Sequence, residues 1–154
     1  MAKQRFKPNG SYAQIPETEW HRTFTPLAKD ADLATVSVLI YLWSNPQRKF
    51  FGIYRFHEDY AVADLGITKK QLLHYLDVLT EKGFILFDKA TREIYVKDML
   101  RTQSNGVKYD SEDNRSKGVS NELSVVQSEW LKDMFVEDQR WRPKPKSDGW
   151  EHAI

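Results

Sequence analysis

The sequence predicts an α+β fold that is mainly α-helical, and three neighbouring features carry that prediction. First, an amphipathic helix follows Thr68, whose hydroxyl forms a capping box with Gln71. Second, apolar residues recur at helical spacing along this helix as far as Gly83, a residue suited to end it. Third, residues 84–87 and 94–96 are short runs of strand-forming residues with a polar turn between them, which predicts a β-hairpin.

The segment before Thr68 predicts a second helix that crosses the first at a steep angle. Residues 58–65 form a short helical pattern with Glu58 and Asp59 in its first turn, where the helix dipole favours acids. Gly66 lies in a connection that is too short for other arrangements of two helices. Two helices in this order are typical of a helix-turn-helix, and the hairpin that follows makes the predicted fold a winged helix-turn-helix.

Further elements complete a predicted domain over residues 15–103. A first core helix is expected over residues 30–43, and its buried stripe consists of Val36, Leu39, Ile40 and Trp43. A short strand at 51–55 is able to pair with the hairpin. Three leucines of the capped helix should pack against the stripe: Leu72, Leu76 and Leu79.

Outside this domain we expect a basic flexible arm (1–14), a linker (104–119), an amphipathic helix (120–138) and a flexible tail (139–154). The arm either touches DNA phosphates or is a solvated terminus. The amphipathic helix carries an apolar stripe made of Leu123, Val126, Trp130, Leu131, Met134 and Phe135. Because such a stripe is costly to expose, it should bury against its own domain or against a second copy.

Composition excludes several classes of protein. The net charge is +1, with 14 basic and 12 acidic residues over 1–100 and 9 and 10 over 101–154, so any DNA affinity must come from local clusters. The chain has no cysteine, which excludes disulfides and thiolate metal sites. No signal peptide or apolar run of membrane-spanning length is present, so no membrane partner and a cytoplasmic location are expected.

Catalytic patterns are also missing from the sequence. There is no phosphate-binding glycine loop and no zinc-binding helix motif, and the four histidines lack ligand spacing. We therefore expect a protein that is not an enzyme and that uses no cofactor and no metal.

Several stretches of the chain resemble a known family. They are Tyr-Leu-Trp-Ser-Asn-Pro at 41–46, Gly-Ile-Tyr-Arg at 52–55, Asp-Tyr-Ala-Val-Ala-Asp-Leu-Gly at 59–66 and Gly-Phe-Ile-Leu-Phe-Asp at 83–88. Together with the capped helix, they resemble the N-terminal winged-helix domain of phage replication initiators, the replisome organisers related to the DnaD group. The resemblance covers roughly residues 20–136 and extends into the C-terminal helix through 117–119, 122–123 and 130–135.

The resemblance implies a phage protein that binds origin DNA in the host cytoplasm. It would recruit the replication machinery, such as a replicative helicase or a helicase loader. Longer members of the family carry a second, helicase-recruiting domain, and this chain ends before one could fit.

Two sets of residues are candidates for contact with double-stranded DNA. Recognition helices present their first residues to base edges in the major groove, and here these are Lys69, Lys70, Gln71 and His74. At the hairpin tip, a flanking phosphate or the minor groove is within reach of Lys89, Thr91 and Arg92. Additional backbone contacts are assigned to Arg48, Lys49 and Arg55. The alternatives are the solvated face of a capped helix and an ordinary polar turn.

Three tryptophans are candidates for contact with another protein, because aromatic residues dominate binding hot spots. Trp130 is expected to pack into the core or into a homodimer seam, while Trp141 and Trp150 would serve as anchors in the tail or fold back on the domain. Two other functions stay open. One is a dimeric winged-helix transcription regulator, and the other is a phage module that captures a host protein without binding DNA.

Overall fold

A three-stranded antiparallel sheet lies between two groups of helices, so the fold is α+β and mainly helical. The computed structural model describes residues 12–104 and 106–142. In chain order the elements are a π-helical turn (Trp20–Phe24), α1 (Thr25–Asp30), α2 (Leu33–Ser44), β1 (Ile53–Arg55), α3 (Glu58–Leu65), α4 (Lys69–Glu81), β2 (Ile85–Asp88), β3 (Glu93–Val96), α5 (Met99–Ser104), α6 (Asn114–Ser124) and α7 (Glu129–Gln139).

The central strand of the sheet is β3, which pairs antiparallel with both β1 and β2. Arg55 and Asp88 both lie opposite Glu93, so these three charged residues form one row across the sheet. Side chains alternate between the two faces along a strand. The charged row therefore shares a face with Tyr95, while Ile94 belongs to the other face.

The Ile94 face packs against α2 and α4, and these two helices pack against each other as the sequence predicts. The three leucines expected from α4 are buried: Leu72, Leu76 and Leu79. Of the stripe expected on α2, Val36, Leu39 and Trp43 are buried and Ile40 is partly buried. This cluster forms the first of two cores.

The connection between α3 and α4 has the capping chemistry that the sequence predicts. Gly66 ends α3 in the left-handed region, with φ of 67°. The backbone N–H of Gln71 donates to the Thr68 hydroxyl at 3.1 Å, and the backbone N–H of Thr68 donates to the Gln71 side chain at 3.0 Å. Both predicted helices and the predicted hairpin are present in the structure.

The other face of the sheet is covered by α6 and α7, which form a second core with it. Leu131 and Phe135 of α7 are fully buried. The Phe135 ring lies 5.7 Å from Tyr95 and 5.6 Å from Phe51 between centroids. The C-terminal helix therefore packs on its own domain, which is one of the two outcomes expected for its apolar stripe.

The element boundaries expected in the C-terminal third are wrong. The expected linker, residues 104–119, contains the first half of α6. The expected single helix, residues 120–138, consists of parts of two helices that are interrupted at 125–128. Ser128 starts α7 by accepting a backbone hydrogen bond with its hydroxyl. Apolar periodicity continues across the interruption, so the pattern did not reveal it.

Trp141 belongs to the second core, which corrects the expectation of a flexible tail over residues 139–154. Its side chain is 1% exposed. The indole N–H donates to the Ser120 hydroxyl at 3.1 Å, and the ring packs 5.6 Å from Tyr109 and 6.0 Å from Phe135. The folded unit therefore continues at least to this residue.

The N-terminal boundary of the folded domain also differs from the predicted one. Most of the arm expected over residues 1–14 lies outside the described part of the chain, but Gln14 exchanges two hydrogen bonds with Gln103, at 2.8 and 2.6 Å. The buried Glu19 carboxylate accepts hydrogen bonds from the Arg101 guanidinium. The segment before α1 is thus fastened to α5.

Gly52 occupies a position that no other residue fits. Its φ is 106°, and an added Cβ would lie 2.6 Å from the Val96 carbonyl oxygen and 3.1 Å from the Met99 Cβ. The Val96 N–H donates to the Gly52 carbonyl at 2.8 Å. The chain that enters β1 therefore approaches the end of β3 too closely for a side chain.

We expect Gly52→Ala to lower the free energy of unfolding by roughly 2–6 kcal/mol, because backbone strain and overpacking each cost about 1–3 kcal/mol. Urea denaturation measures this loss. Gly118→Ala is the control, because nothing lies within 4 Å of an added Cβ there and alanine favours a helix. Equal stabilities for the two variants would contradict the proposed role of Gly52.

Trp141→Ala should destabilise the protein by about 3–5 kcal/mol, as truncation of a buried tryptophan does. Arg142→Ala is the control, because the neighbouring Arg142 is exposed. Thermal unfolding compares the two variants. If Trp141→Ala melts at the wild-type temperature, Trp141 is not part of the core.

Candidate nucleic-acid interface

The starts of α3 and α4 and the tip of the β2–β3 hairpin enclose a groove of about 380 Å³. Its lining contains three basic side chains, a histidine, two carboxylates and two aromatic side chains: Lys69, Lys89, Arg92, His57, Glu58, Asp59, Phe56 and Tyr60. The structure thus brings together cations that the sequence assigned separately to the capped helix and to the hairpin tip.

Lys69 and Lys70 open α4 and are both exposed. The Lys69 ammonium lies 3.7 Å from a Glu58 carboxylate oxygen, and the Lys69 side chain is 65% exposed. An exposed pair at this distance contributes little to stability. Lys69 is therefore free to exchange this partner for a phosphate.

Gln71 and His74 do not line the groove. The Gln71 side-chain oxygen accepts from the Thr68 N–H in the capping box, so it is not free to pair with adenine as expected. His74 is exposed and lies near Asp32 at the start of α2. The pKa of Asp32 is lowered chiefly by hydrogen bonds from Thr35, and the nearby His74 contributes a smaller lowering.

The hairpin tip has a defined turn. The Asp88 carboxylate accepts from the backbone N–H groups of Ala90 at 2.9 Å and Thr91 at 3.4 Å. Arg92 lies in the left-handed region with φ of 59°. Lys89 and Arg92 are exposed, and neither forms a salt bridge with any residue in 12–104 or 106–142.

A second cavity of about 260 Å³ lies between the hairpin tip and the connection from α6 to α7. Arg55 and Thr91 line it together with Val125 and Gln127. Arg92 lines both this cavity and the groove. Two more of the residues expected to bind DNA therefore lie next to the groove.

Arg48 and Lys49, in contrast, line neither the groove nor the second cavity, and their assignment as additional DNA contacts stays a prediction. Arg48 donates to the Asn45 carbonyl at 3.1 Å, at the end of α2. Lys49 forms an ion pair with Glu122 on α6. Both residues lie before the first residue of β1, whereas the hairpin tip lies beside Arg55, the last residue of β1.

Two carboxylates fasten the hairpin tip to the start of α7. Glu93 is 9% exposed and accepts from the backbone N–H groups of Gln127 at 3.1 Å and Ser128 at 2.7 Å. Asp88, directly opposite, accepts from the Trp130 indole at 2.9 Å. Like charges at opposed positions destabilise a sheet, and the start of a helix stabilises negative charge. We call this set of contacts the carboxylate clasp.

Hydrogen bonding keeps the pKa of Asp88 below its ordinary value of 3.8. The largest cause is the Ser128 hydroxyl, and burial opposes it. The backbone N–H groups of Thr91 and Ala90, and then the Trp130 indole, contribute further. Because the folded pKa lies below the unfolded one, this stabilisation is present above the unfolded pKa and is lost as pH falls through the folded pKa.

The three candidate tryptophans differ in their surroundings. Trp130 is 44% exposed and lies against the hairpin tip, so it does not pack into the core, and its alternative place in a homodimer seam stays a prediction. Trp141 is buried, which removes it as a contact for a partner. Trp150 lies outside the described residues.

Five residues of the groove were not predicted as site residues: Phe56, His57, Glu58, Asp59 and Tyr60. The only sequence signal at these positions is the pair of acids at 58 and 59, which we interpreted as favourable charges at the start of a helix. Their proximity to Lys89 and Arg92 depends on the pairing of β1 with β3, which local sequence patterns do not specify.

Comparisons with known proteins gave no match: neither family models nor curated proteins nor solved structures resemble this chain measurably. Within the residues that the structure describes, no cluster of histidine and acidic side chains could hold a metal ion. The described helices are also too short or too polar to cross a membrane.

The Asp88 pKa predicts a pH-dependent contribution of the carboxylate clasp. At neutral pH, Asp88→Asn should be less stable than the wild type, because charged hydrogen bonds are stronger than neutral ones. The difference should shrink as pH falls below about 4, where the unfolded carboxylate takes up a proton. Urea denaturation of both proteins from pH 7 downwards measures it. A difference that stays constant to pH 2 would contradict this account.

Proposed function

We propose that this chain is a DNA-binding protein of the winged-helix type that acts in phage DNA replication. The observation that supports it is the groove in which Lys69 of α4 meets Lys89 and Arg92 of the hairpin. Two separate elements thus direct basic side chains to one surface, as expected for a recognition helix and a wing that hold the same DNA.

In this proposal, the start of α4 contacts the major groove and the hairpin tip contacts the adjacent backbone or minor groove. Lys69 and Lys70 can donate to phosphates or to guanine. Arg92 and Arg55 extend the contact along the second cavity. Phosphate contacts position the protein, and few side chains are left to read sequence.

Local charge sets the strength of binding. The chain has a net charge of only +1, and Glu58 and Asp59 lie within the groove. We therefore infer moderate affinity that depends on a small number of phosphate contacts, in contrast to a strongly basic protein that coats DNA.

The replication role rests on the family resemblance alone. In that family the winged helix binds origin DNA, and other surfaces recruit a helicase or its loader. With Trp141 in the core, recruitment would use Trp130 or residues after 142, where Trp150 lies.

A protein-binding module is the second candidate. Val125 and Trp130 border the hairpin tip and stay 68% and 44% exposed. Exposed apolar side chains beside a hairpin favour contact with another protein, and aromatic residues dominate hot spots. Binding measurements separate this candidate from the first.

The test is a titration of labelled duplex by fluorescence anisotropy at several salt concentrations. Replacing Lys69, Lys89 and Arg92 together by alanine should reduce the slope of log K against log salt by about 2.7, at about 0.9 for each phosphate contact. The control replaces Lys29, Lys108 and Lys117, which are exposed and lie outside the groove.

The control variant carries the same change of net charge and should keep nearly the wild-type slope. If both variants lose affinity equally, binding reflects overall charge and not this groove. If the wild type binds no DNA at low salt, the protein-binding module becomes the better proposal.

A further inference from the structure

We propose that the groove between α3, α4 and the hairpin tip binds an unpaired nucleotide of a DNA strand. The protein would then prefer DNA with a single-stranded part over continuous duplex. This inference rests on the proposed function and adds to it the class of DNA that is bound.

The first observation is a pair of aromatic rings in the groove. Contact with duplex phosphates does not require these rings. The rings of His57 and Tyr60 lie 4.9 Å apart between centroids, tilted by 37°. Tyr60 is 53% exposed although it belongs to a folded helix. Unpaired bases stack on such rings with little dependence on sequence.

The second observation is the arrangement of charge around this pair. Lys69, Lys89 and Arg92 can neutralise the phosphates on either side of a bound base. Glu58 and Asp59 line the same groove and would repel a ligand that consists of phosphate alone. Carboxylates accept hydrogen bonds from the amino groups of bases, as they do from cytosine. Their presence favours a ligand with both a base and phosphates.

The third observation is size. The groove encloses about 380 Å³, near the lower limit of the roughly 300–1,000 Å³ found for pockets that hold small organic ligands. It therefore accommodates one nucleotide, whereas a duplex can only lie across its mouth. A base that is already unpaired enters without the cost of leaving a base-paired stack.

The experiment compares the affinity of the full chain for a blunt duplex and for the same duplex with a short single-stranded extension. The wild type should bind the extended DNA about tenfold more tightly, in line with stacking of one base. Tyr60→Ala should remove this preference by lowering the affinity for the extended DNA to that for the blunt duplex. Tyr60→Phe, which keeps the ring, should retain it.

Tyr12→Ala is the matched control, because Tyr12 is also an exposed tyrosine, 70% accessible, and does not line the groove. It should keep the wild-type preference. As a direct readout, 2-aminopurine at the first unpaired position should change its emission on binding to the wild type and to Tyr60→Phe. The change should be absent with Tyr60→Ala.

Equal wild-type affinity for blunt and extended DNA would overturn the inference and leave the proposed function intact. An equal loss on both DNAs in Tyr60→Ala would overturn it as well, because the ring would then serve duplex binding. Free dAMP that competes as strongly as the extended DNA would show that the ligand is a nucleotide and not a strand. A wild type that binds none of the DNAs would instead refute the proposed function itself.

Discussion

Two carboxylates face each other across the hairpin, and the surrounding fold compensates their repulsion at the start of α7. Glu93 receives two backbone N–H groups there, and Asp88 receives the Trp130 indole. Without these donors, the row of charges on the sheet would hold two opposed anions near the protein interior, which is unfavourable. The position of α7 and the conformation of the hairpin therefore depend on each other.

This dependence extends to the candidate interface. From the carboxylate clasp, α7 runs along β3 to Gln139, which donates to the Lys97 carbonyl at 3.4 Å. Helix α7 thus contacts the hairpin at both ends of β3. The same Asp88 that holds the Trp130 indole also fixes the turn that carries Lys89 and Arg92. The C-terminal helices accordingly help to determine the shape of a groove that they do not line.

Local features of the sequence predicted local features of the structure well. The capping box at Thr68 and Gln71 and the glycine at 66 specify backbone geometry within a few residues, so α3, α4 and the hairpin could be predicted. The buried leucines of α4 followed from helical spacing. These signals depend on neighbouring residues, and distant parts of the chain do not alter them.

The errors concern residues whose surroundings come from far along the chain. Trp141 lies among polar residues in sequence, and its contacts with Tyr109, Ser120 and Phe135 make it a core residue. Arg48 and Lys49 form a basic pair in sequence, yet they contact the end of α2 and Glu122 and lie apart from the groove. Local sequence cannot distinguish such a residue from a free surface group, because the residues that contact it are far away along the chain.

The carboxylate clasp also bears on how the protein folds as it leaves the ribosome. When residue 96 has emerged, all three strands are available, but Glu93 still lacks the donors at 127 and 128. The second face of the sheet likewise is not fully covered until the last described residues, including Trp141, have been synthesised. A nascent chain therefore exposes an apolar sheet surface for more than 40 residues of synthesis. Completion of the fold therefore requires the synthesis of α7 and Trp141, and a chain that terminates before α7 would present that surface to other molecules.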